Sequence, residues 1–151
     1  MGLPTQYSTK CSDLVKVSEG LRLKVYLDTA GNPTIAYGHK LRAGESFSNG
    51  IDVPTACVLL SQDLSTAAAA VGRLVKVPLT QGQIDALVDF VFNLGALLLA
   101  NSTLLRYLNN GDYENAAFQL KLWDHGRVAG KEVELAALKA RRKAELVLWN
   151  S

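Results

Sequence analysis

The feature that most constrains the fold is a change of period. Leu21, Leu23, Val25 and Leu27 alternate with Arg22, Lys24 and Tyr26, the two-residue period of a strand. Thr29-Ala30-Gly31-Asn32-Pro33 has turn-forming composition, and Thr34-Ile35-Ala36-Tyr37 resumes a segment rich in strand formers. Residues 21–39 therefore predict a β-hairpin, and Ser46 to Ile51 a third short strand. On either side the pattern is helical. Ser8 to Ser18 predicts a short helix with Leu14, Val15 and Val17 on its apolar side and Gly20 as its stop. After Pro54, a first-turn residue, Thr55 to Leu74 predicts a helix containing four consecutive alanines, Ala67 to Ala70. Thr80 and Gln83 form a capping-box pattern opening a helix through Phe92. Asn101 or Ser102 caps a helix to Leu108 that Gly111 ends, and Asp112 caps another through Trp123. Lys131 to Trp149 predicts the last helix, with Leu135, Leu138, Leu146 and Trp149 near one face. A helix, a small sheet and then several helices define an α+β architecture with the sheet segregated near the N-terminus.

Composition narrows the function classes. A chain of 151 residues predicts a single domain over 1–151, able to bury roughly two thirds of its unfolded surface without a disulfide or metal. Its 48% hydrophobic and 20% charged residues exclude a disordered tail, a collagen-like rod and a disulfide-stapled miniprotein. A net charge of +2 lacks the clustered basic stripe of a nucleic-acid binder, so no nucleic-acid partner is expected. It suits an anionic polymer such as a bacterial wall, or no charged partner at all. Cys11 and Cys57 form no CxxC pair and His39 and His125 lie far apart, so no metal site is expected and both thiols are expected free and buried. The first 20 residues contain no apolar signal-peptide core and no run is long enough to span a membrane. The expectation is a soluble protein made in the cytoplasm, without stable membrane association.

Three polar residues stand in and around the hairpin: Glu19 at the end of the first helix, Asp28 where the first strand gives way to the turn, and Thr34 at the start of the return strand. Singly, each has an ordinary reading as a solvated helix end, a turn former and a strand residue. Together, two carboxyls and a hydroxyl around a cleft are what glycosidic hydrolysis needs: one acid to protonate the leaving oxygen, one carboxylate to direct water. The negative end of a helix dipole disfavours a carboxylate at Glu19, whereas turn amides keep Asp28 ionised, which separates acid from base. Gly38 is expected to allow close backbone approach in the cleft. His39 is expected to bond the backbone and fix the hairpin.

The full string is more specific. Glu19-Gly20-Leu21-Arg22-Leu23-Lys24-Val25-Tyr26-Leu27-Asp28-Thr29-Ala30-Gly31, followed by Thr34-Ile35-Ala36-Tyr37-Gly38-His39, resembles the phage-type lysozymes, the endolysins of glycoside hydrolase family 24. Their pattern is E-G-x-R-x-x-x-Y-x-D-x-x-G followed by T-I-G-Y-G-H. Phe92-Asn93-Leu94-Gly95 is similar to their F-N-x-G, and Ser102-Thr103-Leu104-Leu105 to their S-T-L-L. The resemblance implies a lysozyme-like fold, mostly helical, with a small sheet lobe and a larger helical lobe on either side of a cleft. It implies Glu19 as general acid, Asp28 as second carboxylate and Thr34 as a holder of water. It further implies hydrolysis, with inversion, of the β-1,4 bond between N-acetylmuramic acid and N-acetylglucosamine in peptidoglycan, by a monomer without metal or cofactor, during phage-type lysis. Gly38, Asn101 and Ser102 are candidate substrate-binding residues, although Asn101 and Ser102 also suit helix capping. Of Arg141 and Arg142, which also read as a solvated helical face, Arg142 is the candidate for positioning Glu19.

The chain departs from the pattern at Ala36, where the family has Gly, and at Pro33, where it has an apolar residue. The family's G-K-x-x-P-G-L is here Gly130-Lys131-Glu132-Val133-Glu134-Leu135-Ala136-Ala137-Leu138, which predicts a longer or earlier last helix. Two rival functions remain: a lytic transglycosylase, which needs the acid but no water-directing carboxylate, and a non-catalytic wall-binding or phage structural module.

Overall fold

A computed structural model describes residues 5–128 and 131–151, with side-chain detail outside 126–134. Helix α1 (Thr9–Glu19) starts at Ser8, whose side chain accepts from the Lys10 N–H. Strands β1 (Arg22–Leu27), β2 (Pro33–Ala36) and β3 (His39–Lys40) follow, forming an antiparallel sheet in that order. Tyr26 pairs with Thr34 and Leu27 with Pro33, while Ile35 pairs with His39. Helices α2 (Val53–Leu74), α3 (Gln81–Leu94), α4 (Ala96–Ala100), α5 (Thr103–Asn109) and α6 (Tyr113–Lys121) come next. A second hairpin, β4 (His125–Val128) and β5 (Lys131–Glu134), precedes α7 (Ala136–Trp149).

The expected starts of α1, α2, α3, α5 and α6 hold because each has a side chain for its free N–H groups. Asp52 accepts from Thr55 N–H at 2.9 Å, with Pro54 in the first turn of α2. Thr80 and Gln83 form both halves of the capping box. Ser102 and Asp112 cap α5 and α6.

Two expectations are corrected. Residues 46–51 form no strand: the segment turns through a Gly50 N–H to Phe47 C=O bond, and Ile51 N–H donates to Leu23 C=O at 2.9 Å. The third strand is His39–Lys40 instead. The last helix also starts later than Lys131, because residues 131–134 pair with 125–128 as a hairpin. Antiparallel pairing at all four positions, from His125 with Glu134 to Val128 with Lys131, overrides the local helix propensity of this segment, and the helix begins only at Ala136.

The main core lies among the helices, where Val15, Leu64, Leu87, Phe90, Leu104, Leu108 and Leu120 are fully buried. A smaller core of Ile35, Ala36, Ala56 and Leu59 joins the sheet to α2, with Tyr37, Leu41, Phe47 and Ile51 packed around it.

Candidate active site

Glu19 is the last residue of α1, and that helix is tied to the helical core at both ends. At its start, Asp85 of α3, itself buried, accepts from Ser8 N–H at 2.7 Å, from the Ser8 hydroxyl and from Gln81 Nε2 at 3.1 Å. At its end, Arg141 Nη1 of α7 donates to Glu19 Oε2 at 2.5 Å. Arg141 is in turn held by Asp89 of α3, with Nε on Oδ2 at 3.0 Å and Nη2 on Oδ1 at 2.8 Å. The helix end that disfavours a carboxylate is thus supplied with a cation. The residue that meets Glu19 is Arg141, which corrects the expectation for Arg142. Arg142, one step of about 100° further round α7, donates instead to Asn93 Oδ1 at 2.7 Å and Glu145 Oε2 at 2.8 Å.

Gly38 belongs to this side of the site. Its φ is +71°, and a Cβ built there would lie 2.6 Å from Glu19 Oε1. The position therefore admits the Glu19 carboxyl only because it is glycine.

Asp28 and Thr34 lie across the first hairpin, and Asn32 joins them. Asp28 Oδ1 accepts from Ala30 N–H at 2.9 Å and Asn32 N–H at 2.8 Å, and Oδ2 accepts from Asn32 Nδ2 at 3.3 Å. The Asn32 carbonyl accepts from the Thr34 hydroxyl at 2.8 Å. The Asn32 backbone N–H, then its amide, the Ala30 N–H and the Lys40 ammonium 3.9 Å away hold the Asp28 carboxyl below the usual carboxylate range. That environment keeps Asp28 ionised, as the turn composition implied. Thr34 is 2% exposed, so its hydroxyl is fixed in one direction, with lone pairs left to accept a hydrogen bond. Tyr26, paired with Thr34 across the sheet, connects the two halves. Burial and then the charges of Glu19 and, more weakly, Asp28 push its phenol upward, so both carboxyls lie near one strand.

A groove of about 790 Å³ adjoins the sheet; Glu19, Asp28 and Thr34 do not line it, and it meets their surroundings through Gly38, against Glu19, and Lys40, against Asp28. Gly38, His39, Lys40 and Arg42 line it from the sheet, Asp63 to Arg73 from α2, and Phe92 to Ala96 from the end of α3. Asn101 and Ser102 do not line it. Ser102 is buried and its hydroxyl is used twice for capping, donating to Leu99 C=O at 2.7 Å and accepting from Leu105 N–H at 3.0 Å. Asn101 is exposed at the end of α4. Helix capping accounts for Ser102.

His39 bonds carboxylates rather than backbone: Nδ1 lies 2.7 Å from Asp63 Oδ2 and Nε2 lies 2.9 Å from Glu45 Oε1. Burial alone would lower its pKa, but the hydrogen bonds and charges of Asp63 and Glu45 outweigh it and raise the imidazole above its ordinary value. Cys11 is buried and Cys57 exposed, both free, so only Cys11 meets the expectation of a buried thiol. Trp123 packs edge-on to Phe90 at 5.9 Å in the core. Among the described residues no group of His, Cys, Asp or Glu has the clustering to hold a metal ion, and no helix is long and apolar enough to cross a membrane.

Sequence reasoning missed Asn32, Asp89 and Asp63. Asp89 carried a usable signal: a carboxylate inside the run Leu87-Val88-Asp89-Phe90-Val91 must be paired when buried.

A carboxyl at a helix end, a second carboxyl on a β-turn and a groove between a small sheet and a helical body are features of a lysozyme-like glycoside hydrolase. Known proteins agree. The profile of the phage lysozyme family matches residues 16–145. An endolysin of Acyrthosiphon pisum secondary endosymbiont phage 1 is 40% identical over 140 residues, covering 91% of this chain and 93% of the relative. The endolysin of Salmonella phage P22 is 38% identical over 146 residues, covering 95% and 98%. Among solved structures, the muramidase domain of SpmX from Asticaccaulis excentricus superposes with a TM-score of 0.86 at 36% identity, covering 97% of this chain and 98% of that one. The chain belongs to the phage lysozyme family, with its lysozyme-like fold, and is a peptidoglycan hydrolase of the muramidase class.

Proposed function

We propose that Glu19 protonates the leaving glycosidic oxygen and that Asp28, ionised by its turn, directs a water held by Thr34 onto the anomeric carbon. The bond is the β-1,4 link between N-acetylmuramic acid and N-acetylglucosamine, and attack from the face opposite the leaving group inverts the configuration. The observation that carries this reading is the division of labour in hydrogen bonding. Asp28 accepts from three N–H groups and faces Lys40, which suits a carboxylate that stays charged. Glu19 is held through one oxygen by Arg141 and keeps Oε1 beside Gly38. Lys40 and Arg42 give the groove a cationic rim for an acidic glycan. The protein acts as a monomer on the wall, as part of phage-type lysis, with Gly38 shaping the acid's side of the groove.

Product analysis tests the reading. Digestion of isolated peptidoglycan in heavy-oxygen water should yield reducing ends carrying the label, with α-anomers formed first. Anhydro-muramic ends would show a transglycosylase, and no soluble products a binding module. Glu19→Gln should lose about 10²–10⁴ in rate with the fold retained. Wall clearing at the normal rate by that variant would defeat the acid assignment.

A further inference from the structure

The bridge around His39 fixes more than the sheet. His39 is 3% exposed, and each ring nitrogen meets a carboxylate oxygen, Nδ1 at 2.7 Å from Asp63 Oδ2 and Nε2 at 2.9 Å from Glu45 Oε1. A neutral imidazole carries one N–H, and a carboxylate oxygen only accepts. Both contacts are hydrogen bonds at once only when one more proton joins the three groups. The two carboxyls have donors of their own. Arg42 N–H donates to Glu45 Oε1 at 2.6 Å, and Arg42 Nη2 donates to Asp63 Oδ1 at 3.3 Å. That backbone N–H is also the chief reason Glu45 is held below its ordinary range. The added proton therefore belongs to the ring. Around the ring stand Asp63 from α2, and Glu45 and Arg42 from the loop after β3. The Phe47 ring, edge-on at 6.5 Å, carries no charge, and Lys40 turns to Asp28. An imidazolium and a guanidinium thus face two carboxylates.

The same residues build the groove: His39, Lys40 and Arg42 line its sheet side, and Asp63 its α2 side. We propose that charged His39 is a positioning residue for substrate binding: it ties the loop after β3 to α2, and so holds the Lys40–Arg42 wall where acidic groups of the glycan meet it. A ring with one N–H satisfies one carboxylate. Loss of the second proton leaves a bare ring nitrogen against a carboxylate oxygen, so one tether opens. The Glu45 contact is the longer of the two, and Glu45 keeps the Arg42 N–H, so that tether is the one released. Glu19 and Asp28 are held separately, by Arg141 and by the Asn32 turn, so the chemical step is spared. Substrate affinity therefore falls as pH rises through the folded value of His39, which the two carboxylates hold above the ordinary one against the effect of burial.

This inference rests on the glycan lying against that wall, and the variants separate the two. In nitrogen-15 NMR of the full chain at pH 6.5, the ordinary value of the imidazole, the ring signals that His39→Asn removes should show two N–H groups. One N–H and one bare nitrogen would overturn the charged ring. On soluble peptidoglycan fragments, KM should rise about 10-fold as pH passes through the His39 titration followed by NMR. A KM unchanged through that titration overturns the role. His39→Asn, without the charge, should show the raised KM at every pH. A purely structural role would instead lower the folded fraction, and with it the apparent kcat, at constant KM. Glu45→Gln is the conservative rescue: its amide presents oxygen to a charged ring or N–H to a neutral one, so KM should stay low across the same range. A KM that climbs in Glu45→Gln as it does in the parent overturns the release of that tether. Lys40→Gln tests the reading beneath and should raise KM. If it does so while the parent's KM is flat with pH, the groove reading stands and only the role of His39 fails. If Lys40→Gln leaves KM unchanged, the glycan does not meet this wall and both fail.

Discussion

The two lobes are stabilised by different means. In the helical body, α3 sends Leu87, Val88 and Phe90 into a dry core, and even its charges, Asp85 and Asp89, are buried against exact partners on α1 and α7. The sheet lobe has no such interior. Leu21, Leu23 and Val25 of the alternating segment are each more than a third exposed, and Leu27 is 68% exposed. The sheet is held instead by a small apolar contact with α2, by turn hydrogen bonds around Asp28, and by the Asp63–His39–Glu45 bridge. A strand-like alternation in sequence therefore marks where the chain pairs its backbone, not where it buries its side chains.

The comparison can be broken most directly by truncation. Phe90→Ala should cost about 3–5 kcal/mol of stability in urea unfolding. Leu23→Ala in β1 should cost less than about 1 kcal/mol, because the side chain already meets water. Equal losses at the two sites would remove the distinction between the lobes.

Next in size is the ionic bridge of the sheet lobe. His39 has a raised pKa when folded, so its contribution is fully present below the unfolded value of 6.5 and is lost as pH rises through the folded value. Glu45 is lowered, chiefly by the Arg42 N–H, so its contribution is present above 4.5 and is lost as pH falls. The bridge should therefore help most between those two values. His39→Asn should cost about 1–3 kcal/mol at pH 5.5, and the deficit should shrink steadily as unfolding is repeated up to pH 8.5. A deficit constant with pH would show that packing, not charge, holds this lobe.

The smallest expected effect compares two buried alanines within the same small core. Ala36 has φ +60°, a left-handed conformation that penalises any Cβ. Its methyl is fully buried in the small core and does not line the groove. Ala36→Gly relieves that strain while losing about 0.8 kcal/mol of methyl burial, so stability should change by less than about 1 kcal/mol. Ala56→Gly removes the same buried methyl from helix α2, where no strain is relieved, and should cost about 1.5–2 kcal/mol. Calorimetry on the two variants distinguishes them.

Much of the site was legible in sequence because it is local. Glu19, Asp28 and Thr34 lie within 16 residues of one another, and a helix stop followed by a hairpin places them by short-range rules. The helix starts were legible for the same reason: each depends on one side chain and the N–H groups two or three residues on. The partner of Glu19 is 122 residues away, and choosing between Arg141 and Arg142 requires knowing which way α7 is rotated against α3. The β4–β5 hairpin was hidden because its residues have the composition of a charged helical turn, and pairing across it decided otherwise. His39 likewise found carboxylates on a loop and on α2, which no short window of sequence displays together.

Gly38 carries a consequence for how this chain can drift. Two independent requirements meet there, a backbone at φ +71° and an absent side chain where the Glu19 carboxyl sits. Gly31 meets only the first, with φ +86° and nothing within 4 Å of a built Cβ. A library randomised at position 31 and selected for wall clearing should return asparagine and aspartate beside glycine, whereas one randomised at 38 should return glycine alone.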